Sequence, residues 1–335
     1  MSAHNDTRLT EGPWLDASGD LEKIVHARTP SKLLLVASTG GHLAQLVKFS
    51  RRWNLSEDSV WITFDSPQSR SLLEGRRVEY VPYVPPRGFR EALVASRRAS
   101  EILERERFDW AVSTGAALAL GVLPAVRAKG LRSTYIESVS RVNGPSLTGK
   151  LLHASRLTGL RSQHAWANGR WKPIPSVLSH YEPVAKTRDI GGELKMFVTL
   201  GTIRPYRFDS LVDGVLGTGL ASERTVWQLG VTERDDLPGS VHQQMAAEAF
   251  KEAALNADVV VTHAGVGTIL ELLEWGIHPV VVARKSERGE HVDNHQAQIT
   301  ALVQSLGVAT VADSQELTAA DLVRATQFST TERRA

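Results

Sequence analysis

The segment Val259–Gly276 reads VVVTHAGVGTILELLEWG, and its order of residue types decides the fold class. A run of apolar, mostly β-branched residues ends at Thr262 and predicts a buried strand. A glycine-containing turn follows over His263–Gly267, and apolar residues at helical spacing predict a helix that begins near Thr268. Strand, glycine turn and helix together form the basic unit of a parallel α/β sheet.

The same unit occurs near the amino terminus. The run KLLLVAS at Lys32–Ser38 is followed by Thr39-Gly40-Gly41-His42 and then by a helical pattern. Strand-like and helix-like runs alternate on both sides of Pro173–Gly192, and the prolines and glycines of this segment predict a domain boundary. The chain is therefore predicted to be an α/β protein with two Rossmann-like, doubly wound domains that face a central crevice.

The predicted domains cover residues 31–180 and 190–335. Residues 1–30 are predicted to be a polar tail, because they carry several charges and lack the apolar core of a signal peptide. The last segment, residues 315–335, is predicted to be a helix with a frayed, charged end.

Composition excludes several classes of protein. The chain has 335 residues, a net charge of +2 and no cysteine. The small net charge argues against a nucleic-acid binder, and the missing thiols exclude a disulfide framework, a thiolate metal site and a cysteine nucleophile. No apolar run approaches 18 residues, so the sequence predicts a soluble or peripheral protein without a spanning helix.

The turn at His263–Gly267 predicts a phosphate site. Amide groups at the start of a helix carry partial positive charge, and Gly265 and Gly267 would let a ligand approach the main chain. Glu271 lies one turn further along the same face, within reach of a ribose. An alternative stays open, since Thr268 and Glu271 also match a capping box that only satisfies the helix end.

A polar segment downstream, ARKSERGEHVDNHQAQ at residues 283–298, supplies groups that suit a nucleotide sugar. Three cations could neutralise a diphosphate, namely Arg284, Lys285 and Arg288. Four short polar side chains could bind sugar hydroxyls, namely Asp293, Asn294, His295 and Gln296. The alternatives are a metal site at His291 and His295, which lacks the glutamate of the zinc-protease pattern, and a solvated start of a helix.

Three ordered motifs in the second half resemble the donor-binding domain of GT-B glycosyltransferases of the family 28 type. They are Leu200-Gly201-Thr202, His263-Ala264-Gly265-Val266-Gly267-Thr268 and Glu290-His291-Val292-Asp293-Asn294-His295-Gln296. The relatives are two-component enzymes of lipid-linked glycan assembly. They include the dolichol-linked N-acetylglucosaminyltransferase and bacterial capsule and exopolysaccharide transferases.

The first half resembles the acceptor-side subunit of those enzymes. It carries Ser38-Thr39-Gly40-Gly41-His42-Leu43, Ser113-Thr114-Gly115, Tyr135-Ile136-Glu137-Ser138, and Arg141-Val142 followed by Ser146-Leu147-Thr148-Gly149-Lys150. The resemblance covers about residues 31–312 and implies that two subunits are fused in one chain. Ala283 replaces a common proline, and the hydrophobic anchor of the eukaryotic subunit is absent.

The resemblance implies an inverting glycosyltransferase that needs neither a metal nor another cofactor. Its donor would be a UDP-sugar, and its acceptor a lipid-diphosphate-linked sugar in exopolysaccharide biosynthesis. The donor sugar stays open between N-acetylglucosamine, glucuronate and galactose. Donor binding would involve Gly201, Thr202 and His263 together with the phosphate turn and the polar segment.

Two residues are candidates for the general base. His42 follows the first strand in the glycine turn that faces the crevice, and its imidazole titrates near neutral pH. Glu137 could act directly, or could hold His42 in the required tautomer. Acceptor binding is assigned to Thr39, Gly40, Gly41 and Arg141.

A basic and apolar segment predicts contact with the cytoplasmic face of the cell membrane. Between Arg141 and Lys172 there are six basic residues and no acid, interleaved with leucine and tryptophan, and a second cluster spans Arg87–Arg98. A solvated helix face is the alternative.

Other functions left open are a UDP-sugar 2-epimerase and a non-catalytic sugar-nucleotide-binding partner. A dehydrogenase is disfavoured because no G-x-G-x-x-G follows the first strand.

Overall fold

The structure is a computed structural model that describes residues 20–85, 88–186, 192–202, 204–291 and 295–333. Its described residues form two parallel sheets with helices on both faces, as the alternating pattern predicts. The architecture is GT-B, with two Rossmann-like domains.

The first sheet has seven parallel strands within the described residues, in the order β3-β2-β1-β4-β5-β6-β7. The strands are β1 Leu33–Ala37, β2 Val60–Phe64, β3 Arg77–Val81, β4 Trp110–Gly115, β5 Ser133–Ile136, β6 Gly159–Ser162 and β7 Trp171–Pro173. The associated helices are α2 Gly41–Ser50, α3 Pro67–Leu72, α4 Phe89–Arg105, α5 Ala117–Ala128 and α6 Leu147–Ser155. All residues of β1 and β4 are buried, because helices cover both faces of the sheet.

The second sheet has six parallel strands within the described residues, in the order β11-β10-β9-β12-β13-β14. The strands are β9 Met196–Thr199, β10 Thr225–Gln228, β11 Ser240–His242, β12 Val259–His263, β13 Val280–Val282 and β14 Thr310–Ala312. The associated helices are α7 Asp209–Gly217, α8 Ala247–Asn256, α9 Val266–Glu274, α10 His295–Ser305 and α11 Ala319–Ala325. Short 3-10 turns cover Val177–His180 and Ser286–Arg288.

The prediction of a terminal helix over residues 315–335 is wrong in its second half. Helix α11 ends at Ala325, and Phe328–Glu332 form a strand, β15, which pairs antiparallel with β8 at Tyr181–Ala185. The β-branched residues Thr330 and Thr331 favour this extended conformation. The end of the chain thereby returns to the segment that links the two sheets.

The polar-tail prediction for residues 1–30 is also wrong in part. Asp20–Val25 form a helix, α1, that buries Leu21 and Val25 in the core of the first domain. Two apolar side chains four residues apart lie on one face of a helix, which explains this packing.

Helices α2 and α9 pack against each other and join the domains. Leu43 and Leu46 of α2 lie in the same buried cluster as Ile269, Leu270 and Leu273 of α9. Each helix follows the glycine turn of its own domain, so this packing places the two turns side by side. None of the described helices is long and apolar enough to cross a lipid bilayer.

Candidate active site

The turn of the first domain depends on an unusual backbone conformation at Gly40. This residue has φ 83° and ψ −145°, a region that is essentially restricted to glycine. Its N–H donates to the side-chain oxygen of Gln68 at 2.6 Å. Gly41 begins α2, and Thr39 precedes Gly40 as a partly buried residue. The predicted acceptor turn is therefore held by α3 as well as by its own glycines.

His42 is held by the end of β4. Its Nδ1 lies 2.6 Å from the main-chain oxygen of Thr114, and the Thr114 hydroxyl donates to the His42 carbonyl oxygen at 2.7 Å. A side chain on Gly115 would lie 3.3 Å from the imidazole, so glycine there leaves room for the ring. A carbonyl oxygen only accepts, so Nδ1 is the donor, and the lone pair of the neutral ring lies on Nε2.

The charge state of His42 follows from its surroundings. Burial lowers its pKa below the ordinary value of 6.5, and the neighbouring positive charge of Arg141 acts in the same direction. The Thr114 hydrogen bond and the charge of Glu137 oppose this shift in pKa. The ring is therefore neutral at pH 7, as a general base requires.

Glu137 does not orient His42, which corrects one of the two roles considered for it. Its buried carboxylate accepts from Tyr135 Oη at 3.0 Å and from the Ser138 N–H at 3.1 Å. It also accepts from the Ser146 N–H at 2.8 Å and the Ser146 hydroxyl at 3.0 Å. These bonds tie the end of β5 to the start of α6, so the carboxylate stabilises the loop that carries Arg141.

Arg141 lies near the imidazole. Its main-chain oxygen accepts from Trp166 Nε1 at 2.7 Å, which anchors the loop. Its positive charge contributes to the lowered pKa of His42. The predicted acceptor residues Thr39, Gly40, Gly41 and Arg141 are thus gathered around one histidine.

The turn of the second domain excludes the capping-box alternative. Helix α9 begins at Val266, and its N-cap is Gly265, which has no side chain to cap the helix. Thr268 therefore lies inside the first turn, where it cannot act as the N-cap. First-turn amides have no partner within the helix, so the amide of a partly exposed residue such as Thr268 can bind an anion.

His263 fills the space beneath this turn. A side chain added at Gly265 would lie 2.2 Å from the imidazole, and one at Gly201 would lie 2.5 Å from it. Burial and the charge of Arg284 lower the pKa of His263 to about 3, so the ring is neutral. Gly201 and Gly265 therefore leave the space that the His263 ring occupies. The prediction for Gly265 was different, namely that Gly265 and Gly267 would let a ligand approach the main chain.

Gly267 is covered by the first domain. A side chain there would lie 3.5 Å from Gln68 Nε2 and 3.6 Å from the Gly41 nitrogen, and one on Gly41 would lie 3.1 Å from the Val266 side chain. The two glycine turns are therefore in direct contact. The partly exposed residues Gly265 and Thr268 leave the other side of the helix start open to a ligand.

Glu271 is a partly buried acid on α9. Burial raises its pKa to about 7, and its carboxylate has no hydrogen-bond or ion-pair partner among the described residues. A ligand that donates hydrogen bonds would stabilise the charged form of this desolvated carboxylate, which has no protein partner. The hydroxyls of a ribose are such donors.

The prediction that Arg284 neutralises a diphosphate is wrong. Its guanidinium is buried and donates to the main-chain oxygens of Leu200, Tyr206, Arg207 and Glu290 at 2.6–3.0 Å. It also stacks on Phe208, at 4.6 Å from the ring centroid. Arg284 therefore connects β13 to the loop after β9 and fixes the backbone of that loop.

The other two cations of this segment are also held by the protein. Lys285 forms an ion pair with Asp313, and Arg288 donates to Asp313 at 3.2 Å and to Ser314 at 2.6 Å. The side-chain oxygen of Gln296 accepts from the Arg284 N–H at 2.9 Å. This cluster orders the end of β13 and does not present its charges to a diphosphate.

The remaining donor residues are placed as follows. Thr202 is exposed after Gly201, at the carboxyl end of β9. His295 begins α10, and Asp293 and Asn294 lie outside the described residues. Within the part of the chain that the structure describes, no group of three or more histidines or acids could hold a metal ion.

Sequence reasoning missed two residues of the site. Thr114 occurs in the Ser113-Thr114-Gly115 motif, but only the fold reveals that its carbonyl fixes the His42 tautomer. Gln68 has no motif, and its contact with Gly40 depends on the position of α3.

Residues 234–334 match the glycosyltransferase family 28 C-terminal domain. This segment contains β12, the phosphate turn and α9. The protein is a glycosyltransferase. No curated protein matches the sequence.

Solved structures with the same fold have low sequence identity. Acinetobacter baumannii MurG has a TM-score of 0.53 and 16% identity, with 88% of this chain and 89% of that chain covered. The spinosyn forosaminyltransferase SpnP has a TM-score of 0.54 and 14% identity, with 88% of each chain covered. The UDP-GlcNAc 2-epimerase from Methanocaldococcus jannaschii has a TM-score of 0.52 and 9% identity, with coverages of 88% and 91%.

Proposed function

We propose that this glycosyltransferase moves a sugar from a UDP-sugar to a hydroxyl of a lipid-diphosphate-linked sugar, with inversion and without a metal. The observation that carries the proposal is the contact between the two glycine turns. It brings His42, a neutral base with its lone pair on Nε2, next to the helix start that would bind the donor diphosphate.

The reaction would divide between the two domains. His42 Nε2 accepts the proton of the acceptor hydroxyl while the oxygen attacks the anomeric carbon from the face opposite the diphosphate. The bond between that carbon and the phosphate oxygen breaks, and UDP leaves with the electron pair. The amide of Thr268 and the partial positive charge at the start of α9 would stabilise the negative charge on the departing diphosphate.

The donor nucleoside would bind on the other side of α9. Glu271 would accept hydrogen bonds from the ribose hydroxyls, and the exposed Thr202 lies at the neighbouring strand end. His263 and Arg284 would act indirectly, because both are buried and support the backbone that contacts the ligand.

The acceptor would approach from the side of α6. Leu147 and Leu151 are 67% and 48% exposed on this helix, and the exposed Lys150 lies between them. Residues three and four apart share a helix face, so this face combines apolar contact with positive charge. The face follows the loop of Arg141, which supports a peripheral position on the inner, cytoplasmic face of the cell membrane.

We further infer that the chain combines the acceptor and donor functions that other systems divide between two subunits. The His42 turn belongs to the first domain and the family 28 segment to the second, and α2 packs directly on α9. Exopolysaccharide biosynthesis is the pathway class that fits this acceptor.

A transfer assay tests the proposal. Purified protein is incubated with each of a panel of UDP-sugars and a synthetic polyprenyl-diphosphate monosaccharide, and the products are analysed by mass spectrometry and NMR. We expect one UDP for each lipid-linked disaccharide, with inverted anomeric configuration, and no product from His42→Gln. The proposal would be contradicted if none of the UDP-sugars were consumed in the presence of acceptor.

A 2-epimerase is the second candidate, since the Methanocaldococcus jannaschii epimerase has the same fold. Such an enzyme would convert the sugar nucleotide itself, in the absence of any lipid. The same assay without acceptor separates the two functions, because an epimerised UDP-sugar would then accumulate.

A further inference from the structure

A cavity lies in the first domain at the end of the sheet opposite His42. Its volume is about 390 Å³, and its lining includes the first residues of three strands, Trp110 of β4, Ser133 of β5 and Gly159 of β6. The amino ends of parallel strands share one edge of a sheet, whereas His42, Thr114 and Glu137 lie at the carboxyl ends. The cavity is therefore separate from the proposed active site.

The lining of this cavity is strongly basic. Its cations are Arg127, Arg132, Arg156, Arg161, Arg170 and Lys172, and none of the described residues that line it is acidic. Four of the six belong to the basic segment from Arg141 to Lys172. The structure thus divides that segment, with Arg141 beside His42, Lys150 exposed on α6, and the remaining four at the amino ends of the strands.

Several of these cations are held in place. Arg132 stacks on Trp110, with its guanidinium 4.5 Å from the ring. Arg161 is only 6% exposed, and Arg170 donates to the main-chain oxygen of His153 at the end of α6. Fixed side chains lose little conformational entropy when they bind a ligand, so the site is preorganised.

Neutral hydrogen-bonding groups complete the lining. The hydroxyls of Ser133 and Thr158 are 3.0 Å apart, and the Thr134 hydroxyl accepts from Trp110 Nε1 at 3.0 Å. Arginine and hydroxyl groups are the usual ligands of phosphate oxygens in proteins. Like charges concentrated around one cavity repel each other, and a bound anion relieves that repulsion.

We propose that this cavity binds a phosphorylated anion. The chemistry is that of a phosphate or diphosphate group, which a free polyphosphate or an anionic lipid headgroup could supply. Binding here would act at a distance from the reacting atoms, because the site lies across the sheet from His42.

The test uses the full chain and a paired variant, Arg127→Gln with Lys172→Gln. Arg127 is exposed on α5 and Lys172 is half-buried on the edge strand β7, so both should be replaceable without unfolding. The matched control is Arg105→Gln with Lys251→Gln, which removes the same charge from two exposed positions outside the cavity. Thermal unfolding of all three proteins checks that the fold is intact.

Inorganic pyrophosphate is titrated calorimetrically, and vesicles of phosphatidylglycerol or phosphatidylcholine are used in flotation. We expect the cavity variant to weaken binding of pyrophosphate, of phosphatidylglycerol vesicles, or of both, about tenfold or more, while the control stays near wild type. Loss of pyrophosphate binding identifies a free anion, and loss of vesicle binding alone identifies a headgroup. If the cavity variant and the control bind both probes equally, the proposal is overturned.

Discussion

His42 and His263 each lie beside the glycine turn of their own domain, His42 in the first turn of α2 and His263 at the end of β12. Burial lowers the pKa of both rings, and both are neutral at pH 7. Their surroundings differ. His42 is partly exposed and binds the Thr114 carbonyl through Nδ1, whereas His263 is 9% exposed and lies between Gly201 and Gly265.

The difference shows that a histidine beside a glycine turn can serve opposite purposes. A histidine with one nitrogen held and the other accessible can move a proton. A histidine enclosed by glycines is a packing element that determines the backbone of the turn. The following predictions test this contrast.

The largest effect is expected for His42→Gln. Removal of the base should lower kcat by about a hundredfold or more, because glutamine cannot accept the proton. The melting temperature and UDP affinity should change little. Steady-state kinetics and calorimetry check this, with the exposed His242→Gln as the matched control. Unchanged kcat would remove His42 from catalysis.

The second effect concerns packing around His263. Gly265→Ala should destabilise the protein by about 1–3 kcal/mol, since the new methyl group would overlap the imidazole. In a His263→Ala background the same change should cost less, with a coupling of about 1 kcal/mol or more. Chemical denaturation of the four proteins measures this coupling.

The first-domain turn supplies the control for that cycle. Gly40→Ala should also destabilise the protein, by about 1–3 kcal/mol, because Gly40 has φ 83°. A side chain there would meet no described atom within 4 Å, so His42→Ala should not rescue it. Equal rescue at Gly40 and Gly265 would contradict the proposed difference between the two rings.

The third effect separates binding from stability at Glu271. The pKa of Glu271 is about 7 in the folded protein, above the ordinary value of 4.5. The folded state therefore loses stability relative to the unfolded state as pH rises through the range between these two values. Glu271→Gln should therefore raise the melting temperature of the free protein by a few degrees at pH 8. It should also weaken UDP binding.

The pH dependence of UDP affinity gives the matched measurement for Glu271. Ribose hydroxyls favour the charged carboxylate, so wild-type affinity should fall as pH drops from 8 to 6. UDP itself also changes its protonation in this pH range. The Glu271→Gln protein should therefore keep only the part of the pH dependence of affinity that comes from UDP. Identical pH profiles for the two proteins would exclude contact between Glu271 and the ribose.

The smallest effect is a shift in a pH–rate profile. Because burial lowers the pKa of His42, the acidic limb of kcat/KM should lie below pH 6.5. A limb above that value would indicate that another group acts as the base.

Much of the fold could be predicted from the sequence. The apolar runs at Lys32–Ser38 and Val259–Thr262 match β1 and β12 within one residue at each end, because buried parallel strands are continuous and apolar. The short strands β6, β7 and β11 were missed, since three or four residues such as Ser240–His242 carry no periodicity. The terminal strand β15 was missed because its pairing with β8 is non-local.

The candidate site was predicted less completely. Motifs located both turns, but they could not distinguish a cation that faces a ligand from one that holds the backbone, and Arg284 proved to be the second kind. The role of Glu137 also depends on geometry beyond its own strand, since its partner Ser146 is the N-cap of α6. Burial and hydrogen-bond direction decide such roles, and neither can be read from residue type.

The tautomer of His42 is the most direct test of the central claim. A long-range ¹H–¹⁵N correlation spectrum of histidine-labelled protein at pH 7, assigned with His42→Gln, reports which ring nitrogen carries the proton. We expect a neutral ring with a proton on Nδ1 and none on Nε2. A ring protonated on Nε2, or on both nitrogens, would contradict the assignment of His42 as the base.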